Sequence, residues 1–217
     1  METRRSSTAS APPLAGLGAA VLAACTTAAD SGVAPDPFAD AVVSFEPGEA
    51  AGFGQEGLPD IVLGPPLGGG DQGSLDVVSL GREGRIVLEL HEPWLVDRDG
   101  VDLLVFENPF PGWIETGIVG VSLDGAEWHE WPCAWDDEAE GFLGCAGVQQ
   151  VWANAEENGL DPTDPLVAGG DAFDLADLGM DEARFVSVRD SGANAYDGVA
   201  GGFDLDAIAV VRATDGS

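Results

Sequence analysis

The chain has 217 residues with 39 acidic side chains against 8 basic ones, a net charge of −31. Such a charge repels nucleic-acid phosphates and anionic lipid surfaces and attracts cations, so a nucleic-acid partner is excluded. Every basic residue is Arg, which excludes any chemistry that needs a lysine.

The N-terminus has the layout of an export signal. Arg4 and Arg5 form a basic start, and Leu14 to Ala24 is an apolar run too short to span a bilayer as a helix. The run ends in Leu22-Ala23-Ala24-Cys25, a branched apolar residue and two small residues before a cysteine. This resembles the lipobox of bacterial lipoproteins. The resemblance implies a signal peptide over 1–24, acylation of Cys25, and cleavage before it. Removal of 24 residues leaves 193 with a charge of −32, a length that suits one domain. Several acyl chains on one cysteine would anchor the protein stably, at about 0.8 kcal/mol per buried CH₂. The expected location is therefore membrane-anchored and exported, at the outer membrane or cell surface. Residues 25–39 read as a flexible tether rich in Ala, Thr, Gly, Asp and Pro, 40–212 as the folded domain, and 213–217 as a tail.

The domain shows almost no helical periodicity. Short apolar runs predict nine strands, at Ala41–Phe45, Asp60–Leu63, Leu75–Leu80, Arg85–Leu90, Val101–Glu107, Gly117–Leu123, Glu127–Trp131, Arg184–Asp190 and Phe203–Val211. Asp124-Gly125 is a two-residue hairpin signal of type I′. One short helical turn is expected over Phe173–Met180, and a long irregular stretch precedes the eighth strand. Val101–Phe106 and most of Phe203–Val211 are apolar on both faces, so both strands should be central and buried. Many short strands with turn chemistry between them give an all-β fold, a β-sandwich or jelly roll of eight or nine strands.

Besides Cys25 there are two cysteines, Cys133 and Cys145. An even number in an exported chain predicts a disulfide. Zinc is a poor alternative, because His91 and His129 have no ligand spacing to a cysteine.

Several phrases resemble a family of bacterial surface and secreted proteins known generically as cell surface proteins. They include Val77-Val78-Ser79-Leu80-Gly81, Val105-Phe106-Glu107-Asn108-Pro109-Phe110, Cys145-Ala146-Gly147-Val148, Gly169-Gly170-Asp171-Ala172-Phe173 and Gly202-Phe203-Asp204-Leu205-Asp206-Ala207-Ile208. The resemblance covers about Ile61 to Val211 and implies a jelly-roll sandwich and a surface location. It supplies no settled activity. The loop Asp97-Arg98-Asp99-Gly100 departs from the Gly-Pro-rich loop of the family.

The strongest chemical signal is carboxylates in or beside buried strands. Asp204 and Asp206 alternate with Phe203 and Leu205, so both point to one face, the same face as Ile208 and Val210. Asp102 opens a central strand, Glu107 and Asn108 close it, and Asp190 ends another. Buried unpaired carboxylates are costly and only six Arg remain to pair them, so a bound Ca²⁺ would resolve the charge. The alternative is that these side chains cap turns and accept backbone N–H bonds. Asp97-x-Asp99-Gly100 begins like an EF-hand loop, but its twelfth position is Asn108. Trp94, Trp113 and Trp135 fall in loops, where they either stack on a flat ligand or plug the ends of the sandwich. No Gly-x-Ser-x-Gly, Gly-x-x-x-x-Gly-Lys or His-Glu-x-x-His motif occurs. These features give a surface-displayed binding or adhesion module with a carbohydrate or other surface ligand. A polysaccharide hydrolase and an accessory lipoprotein of an outer-membrane nutrient transporter are the alternatives.

Overall fold

The computed structural model describes residues 36–92, 94–107, 109–193 and 200–212. The chain divides into Met1–Ala34 and Pro35–Ser217, and every described residue belongs to the second unit. The signal peptide, Cys25, Asn108 and the tail at 213–217 lie outside the described residues.

The described residues form eleven strands: β1 (Ala41–Glu46), β2 (Val78–Ser79), β3 (Arg85–Glu89), β4 (Leu95–Val96), β5 (Leu103–Glu107), β6 (Gly117–Ser122), β7 (His129–Glu130), β8 (Asp171–Phe173), β9 (Glu182–Ala183), β10 (Phe185–Asp190) and β11 (Asp204–Val210). One sheet runs β1-β3-β10-β6-β7 and a second runs β2-β11-β5-β8, with β4 and β9 paired apart. Every strand pair is antiparallel. The fold is all-β and sandwich-like, as the sequence predicts.

The two sheets share one core. Ile86 and Leu88 on β3, Val119 and Val121 on β6, and Val186 and Val188 on β10 recur at every second residue. They meet Leu103 and Val105 on β5, Phe173 on β8, and Ile208 and Val210 on β11. The opposite face of β5 and β11 presents Leu104, Phe106, Ala207 and Ala209, which pack with Phe38, Val151, Ala153 and Ala168. The segment around Val151 to Gly170 thus roofs the four-stranded sheet, and every residue of β5 is buried. That explains why this strand reads as apolar on both faces. Phe38, in the segment read as tether, bridges to Ala209 and packs in this outer cluster.

Four local readings are corrected. Asp60–Leu63 is not a strand: Asp60–Val62 forms a 3₁₀ turn whose Val62 enters the core. Pro59, Pro65 and Pro66 around it have no N–H to give a ladder. The third predicted strand shrinks to Val78–Ser79, and Leu75 is 79% exposed. The hairpin at Asp124-Gly125 forms, but only Gly125 has positive φ. Asp124 instead accepts from the amides of Ala126 and Glu127, so its carboxylate closes a longer loop. The strand count rises because β4, β8 and β9 have only two or three residues each, too few for a periodic signal. The helical turn near Phe173 is present as a 3₁₀ segment, Leu175–Leu178.

Asp204 and Asp206 do not share a face with Ile208 and Val210. The register between β11 and β5 shifts between Leu205 and Ala207, where an extra residue bulges out. Leu205 and Ile208 both face the inter-sheet core although they are an odd number of residues apart. The inserted residue reverses the phase, so both aspartates leave the core face.

Candidate functional site

β5 separates the predicted carboxylates into two ends of the sandwich. Asp102 precedes its first residue and Glu107 is its last, a span of about 17 Å at the usual strand rise of ~3.4 Å per residue. The six predicted cation ligands therefore do not form one site.

At the Asp102 end, Asp97, Asp102 and Asp174 each bring a carboxylate oxygen within 4.8 Å of the others. Among the described residues this is the one group of three or more His, Cys, Asp or Glu drawn so close. Asp102 is buried, Asp174 half-buried and Asp97 exposed. The Asp102 oxygens accept from the Arg98 amide at 3.0 Å and the Leu175 amide at 2.9 Å. Burial nevertheless holds its carboxyl above the usual range, with repulsion from Asp174 and Asp97 adding to the effect. Asp174 Oδ1 caps the 3₁₀ turn through the Ala176 amide. This acidic triad has the oxygen chemistry to hold a metal ion. Asp174 is the member that sequence patterning missed, since it is brought to Asp102 only by the pairing of β5 with β8, whereas Asp97 is marked in the sequence by the EF-hand-like start of its loop but not as a partner of Asp102.

At the opposite end, antiparallel pairing gathers the C-terminal ends of β5 and β10 with the N-terminal ends of β6, β8 and β11. Leu205 lies opposite Glu107, so Asp204 lies beside the Glu107 backbone. Val105 lies opposite Asp171, and Asp190 opposite Gly117. Glu115 joins them from the loop between β5 and β6.

Two of these acids serve the scaffold. Asp190 Oδ1 accepts from the amides of Glu83 and Gly192, and its Oδ2 from the Phe203 amide. Asp171 Oδ2 accepts from Gly147 at 2.7 Å and Val148 at 3.0 Å. Gly147 has φ +85°, and a Cβ there would stand 2.0 Å from the Glu115 carbonyl oxygen, so only glycine allows this approach. Burial pushes Asp171 up to about 7 even so. Asp206 accepts from the Leu67 amide and is also raised well above its usual range by burial.

The other three have unmet oxygens. Glu107 Oε2, Glu115 Oε1 and Asp204 Oδ1 are buried and accept no hydrogen bond. Glu107 is 2% exposed and Glu115 7%. Burial is the main cause that lifts all three, Glu115 to about 8 and Asp204 to about 7, with Glu107 also well raised. The strongest charges acting on them are one another and the neighbouring Asp171 and Asp190. Arg82, Arg184 and Arg189 make ion pairs with Glu49, Glu89 and Glu130.

Glu115 and Asp204 also line a cleft of about 310 Å³ with Phe53, Leu75, Phe110 and Trp113. Phe110 and Trp113 are 43% and 48% exposed, and an indole hydrogen bond from Trp113 reaches Glu115. Of the three predicted ligand-stacking residues, Trp113 alone lines this cleft. Trp94 is half-buried with the Arg184 guanidinium 6.0 Å from its ring. Trp135 is 42% exposed in the loop closed by the Cys133–Cys145 disulfide. Phe53, Leu75 and Phe110 are aromatic or apolar residues that nothing in the local sequence marks as partners of Trp113.

No protein-family model matches the chain, and a comparison with curated proteins finds no match. The class reached from fold and site is a sandwich-like all-β domain with an acid-floored aromatic cleft at one end and an acidic triad at the other.

Proposed function

We propose that this protein is a surface-displayed binding module whose ligand site is the Phe53–Phe110–Trp113 cleft, and that its ligand is a carbohydrate. The reading is carried by Trp113, half exposed on the cleft wall while bonded to a buried carboxyl. A sugar offers an apolar ring face to aromatic rings and hydroxyls to carboxyl groups, which matches a wall of Phe and Trp over a floor of Glu115 and Asp204. A glycan array with the full-length chain tests this. Trp113→Ala should weaken capture at least tenfold while still unfolding cooperatively, with some loss of melting temperature because the buried Glu115 carboxyl loses its indole donor. Capture unchanged by Trp113→Ala and Phe110→Ala would move the ligand site elsewhere.

The module is tethered through acylated Cys25, on the reading of Leu22 to Cys25 as a lipobox. Cys25→Ser should leave the protein unacylated and depleted from the membrane fraction; equal retention of the variant would remove the anchor from this reading. Ca²⁺ stabilises the domain through Asp97, Asp102 and Asp174, a set of hard oxygen donors at one end of the core.

One observation favours the hydrolase alternative. Glu115, raised to about 8 beside an aromatic cleft, would be protonated at neutral pH, as a general acid must be. Hydrolysis of a bound glycan, lost in Glu115→Gln without a change in melting temperature, would replace binding by catalysis.

A further inference from the structure

The cleft is lined by acids and aromatic rings and by no base. Among the described residues no Arg or His lines it, and Arg82, Arg184 and Arg189 are paired with Glu49, Glu89 and Glu130. Glu115 is 7% exposed and lines the cleft with Oε1 free of any hydrogen bond, while Trp113 and the Gly202 amide donate to its carboxyl. Asp204 lines the same floor with Oδ1 unpartnered. Glu107 on β5 and Asp190 on β10 act on these two through their charge. The empty floor limits its own charge by holding protons: burial, with repulsion from Asp204 and Asp190, pushes Glu115 up to about 8. A neutral sugar hydroxyl offers a hydrogen bond and leaves ionised carboxylates there unbalanced. A cation balances them, and aromatic rings attract a cation in their own right, more strongly where water is excluded.

We propose that the sugar taken by this cleft carries a free, protonated amino group, with the ammonium lodged against the Phe53–Phe110–Trp113 wall over the Glu115–Asp204 floor. This rests on the carbohydrate reading of the cleft and names the class of sugar, an amino sugar without its N-acetyl cap. The attraction acts through low-dielectric protein, so the carboxyls need not meet at one point. The charge of −31 draws cations to the whole surface without fixing their position, whereas the cleft joins rings and buried acids in one place. Acetylation of the sugar removes the positive charge and leaves an amide with a single N–H, so the same wall and floor discriminate against the capped form.

The test measures binding to the full-length chain by titration calorimetry, at matched ionic strength and slightly below neutral pH, where the amine is protonated. The ligands are a glucosamine tetramer, its fully N-acetylated form, a neutral glucose tetramer, and choline as a cation without a sugar ring. The glucosamine tetramer should bind at least tenfold more tightly than either neutral tetramer. Glu115→Gln should cut that preference at least threefold, with Asp204→Asn as the second variant if Glu115→Gln does not fold. Glu127→Gln should keep it, because Glu127 is solvated beyond the far end of β6. Equal or tighter binding of the neutral tetramers overturns the ammonium and keeps the carbohydrate reading. A preference that Glu127→Gln lowers as much as Glu115→Gln comes from diffuse surface charge and overturns the site. Choline binding that Trp113→Ala abolishes, with no tetramer bound, overturns the carbohydrate reading and keeps a cation site in the cleft. Binding of none of the four overturns both.

Discussion

Asp190 Oδ2 accepts a hydrogen bond from the Phe203 amide at 2.9 Å, which ties the last residue of β10 in one sheet to the residue that leads into β11 in the other. The other oxygen holds the Glu83 and Gly192 amides, so one carboxylate fixes three segments of backbone. Asp190 was expected as a cation ligand, and its place in the structure is that of a backbone clamp.

Asp190→Ala should therefore act on stability. It leaves buried amides without an acceptor, at about 1–3 kcal/mol each, and a loss of 3 kcal/mol or more is expected in denaturant titration. Asp190→Asn, which keeps one acceptor oxygen, should lose less. Equal stability of Asp190→Ala and the parent would show that the clamp contributes nothing.

The disulfide between Cys133 and Cys145 closes a short loop that carries the 3₁₀ turn Glu138–Glu140. Loop-closure entropy gives such a bridge a contribution of about 3 kcal/mol as an upper bound. Replacing both cysteines by serine should lower the melting temperature by several degrees. Unreduced peptide mass spectrometry of the parent should find the two residues joined.

A calcium ion at the triad and the backbone would draw on Asp102 in different ways, and two variants separate them. Asp102→Ala removes the acceptor of the Arg98 and Leu175 amides and should destabilise with or without calcium. Asp97→Asn leaves those bonds intact and should remove the share of the calcium-induced rise in melting temperature that comes from this triad. A ligand at a hundredfold excess over its Kd adds about 2.7 kcal/mol to the folded state. Sodium chloride at matched ionic strength is the control, since screening also stabilises a chain of this charge. If it reproduces the whole rise, the triad holds no ion.

The acids raised by burial set a pH dependence. Asp171 is lifted from 3.8 to about 7 in the folded state, so between these values the folded chain binds the extra proton. Its contribution is complete below about pH 4 and is lost as the pH climbs through about 7. Stability should therefore fall between about pH 4 and about pH 7, opposite to the usual carboxylate trend. Asp171→Asn keeps an acceptor for Gly147 and Val148 and should flatten this slope. An unchanged slope would assign the pH dependence to Glu107 and its neighbours.

The sequence by itself determined the all-β class, the central place of β5 and β11, the disulfide, and the acids that end buried strands. Each of these follows from local residue type: apolar runs of strand length, a pair of cysteines besides the lipobox-like Cys25, and Asp or Glu within a few residues of a core position. Only the tertiary structure decided how those acids are grouped. Asp97 meets Asp102 through a loop, and Asp174 meets it through β5–β8 pairing. Glu107 meets Asp204 because β11 lies antiparallel beside β5, and a single bulged residue turns Asp204 and Asp206 off the core face that alternation had given them. Register and bulges depend on partners far along the chain, so no local pattern in this sequence encodes them.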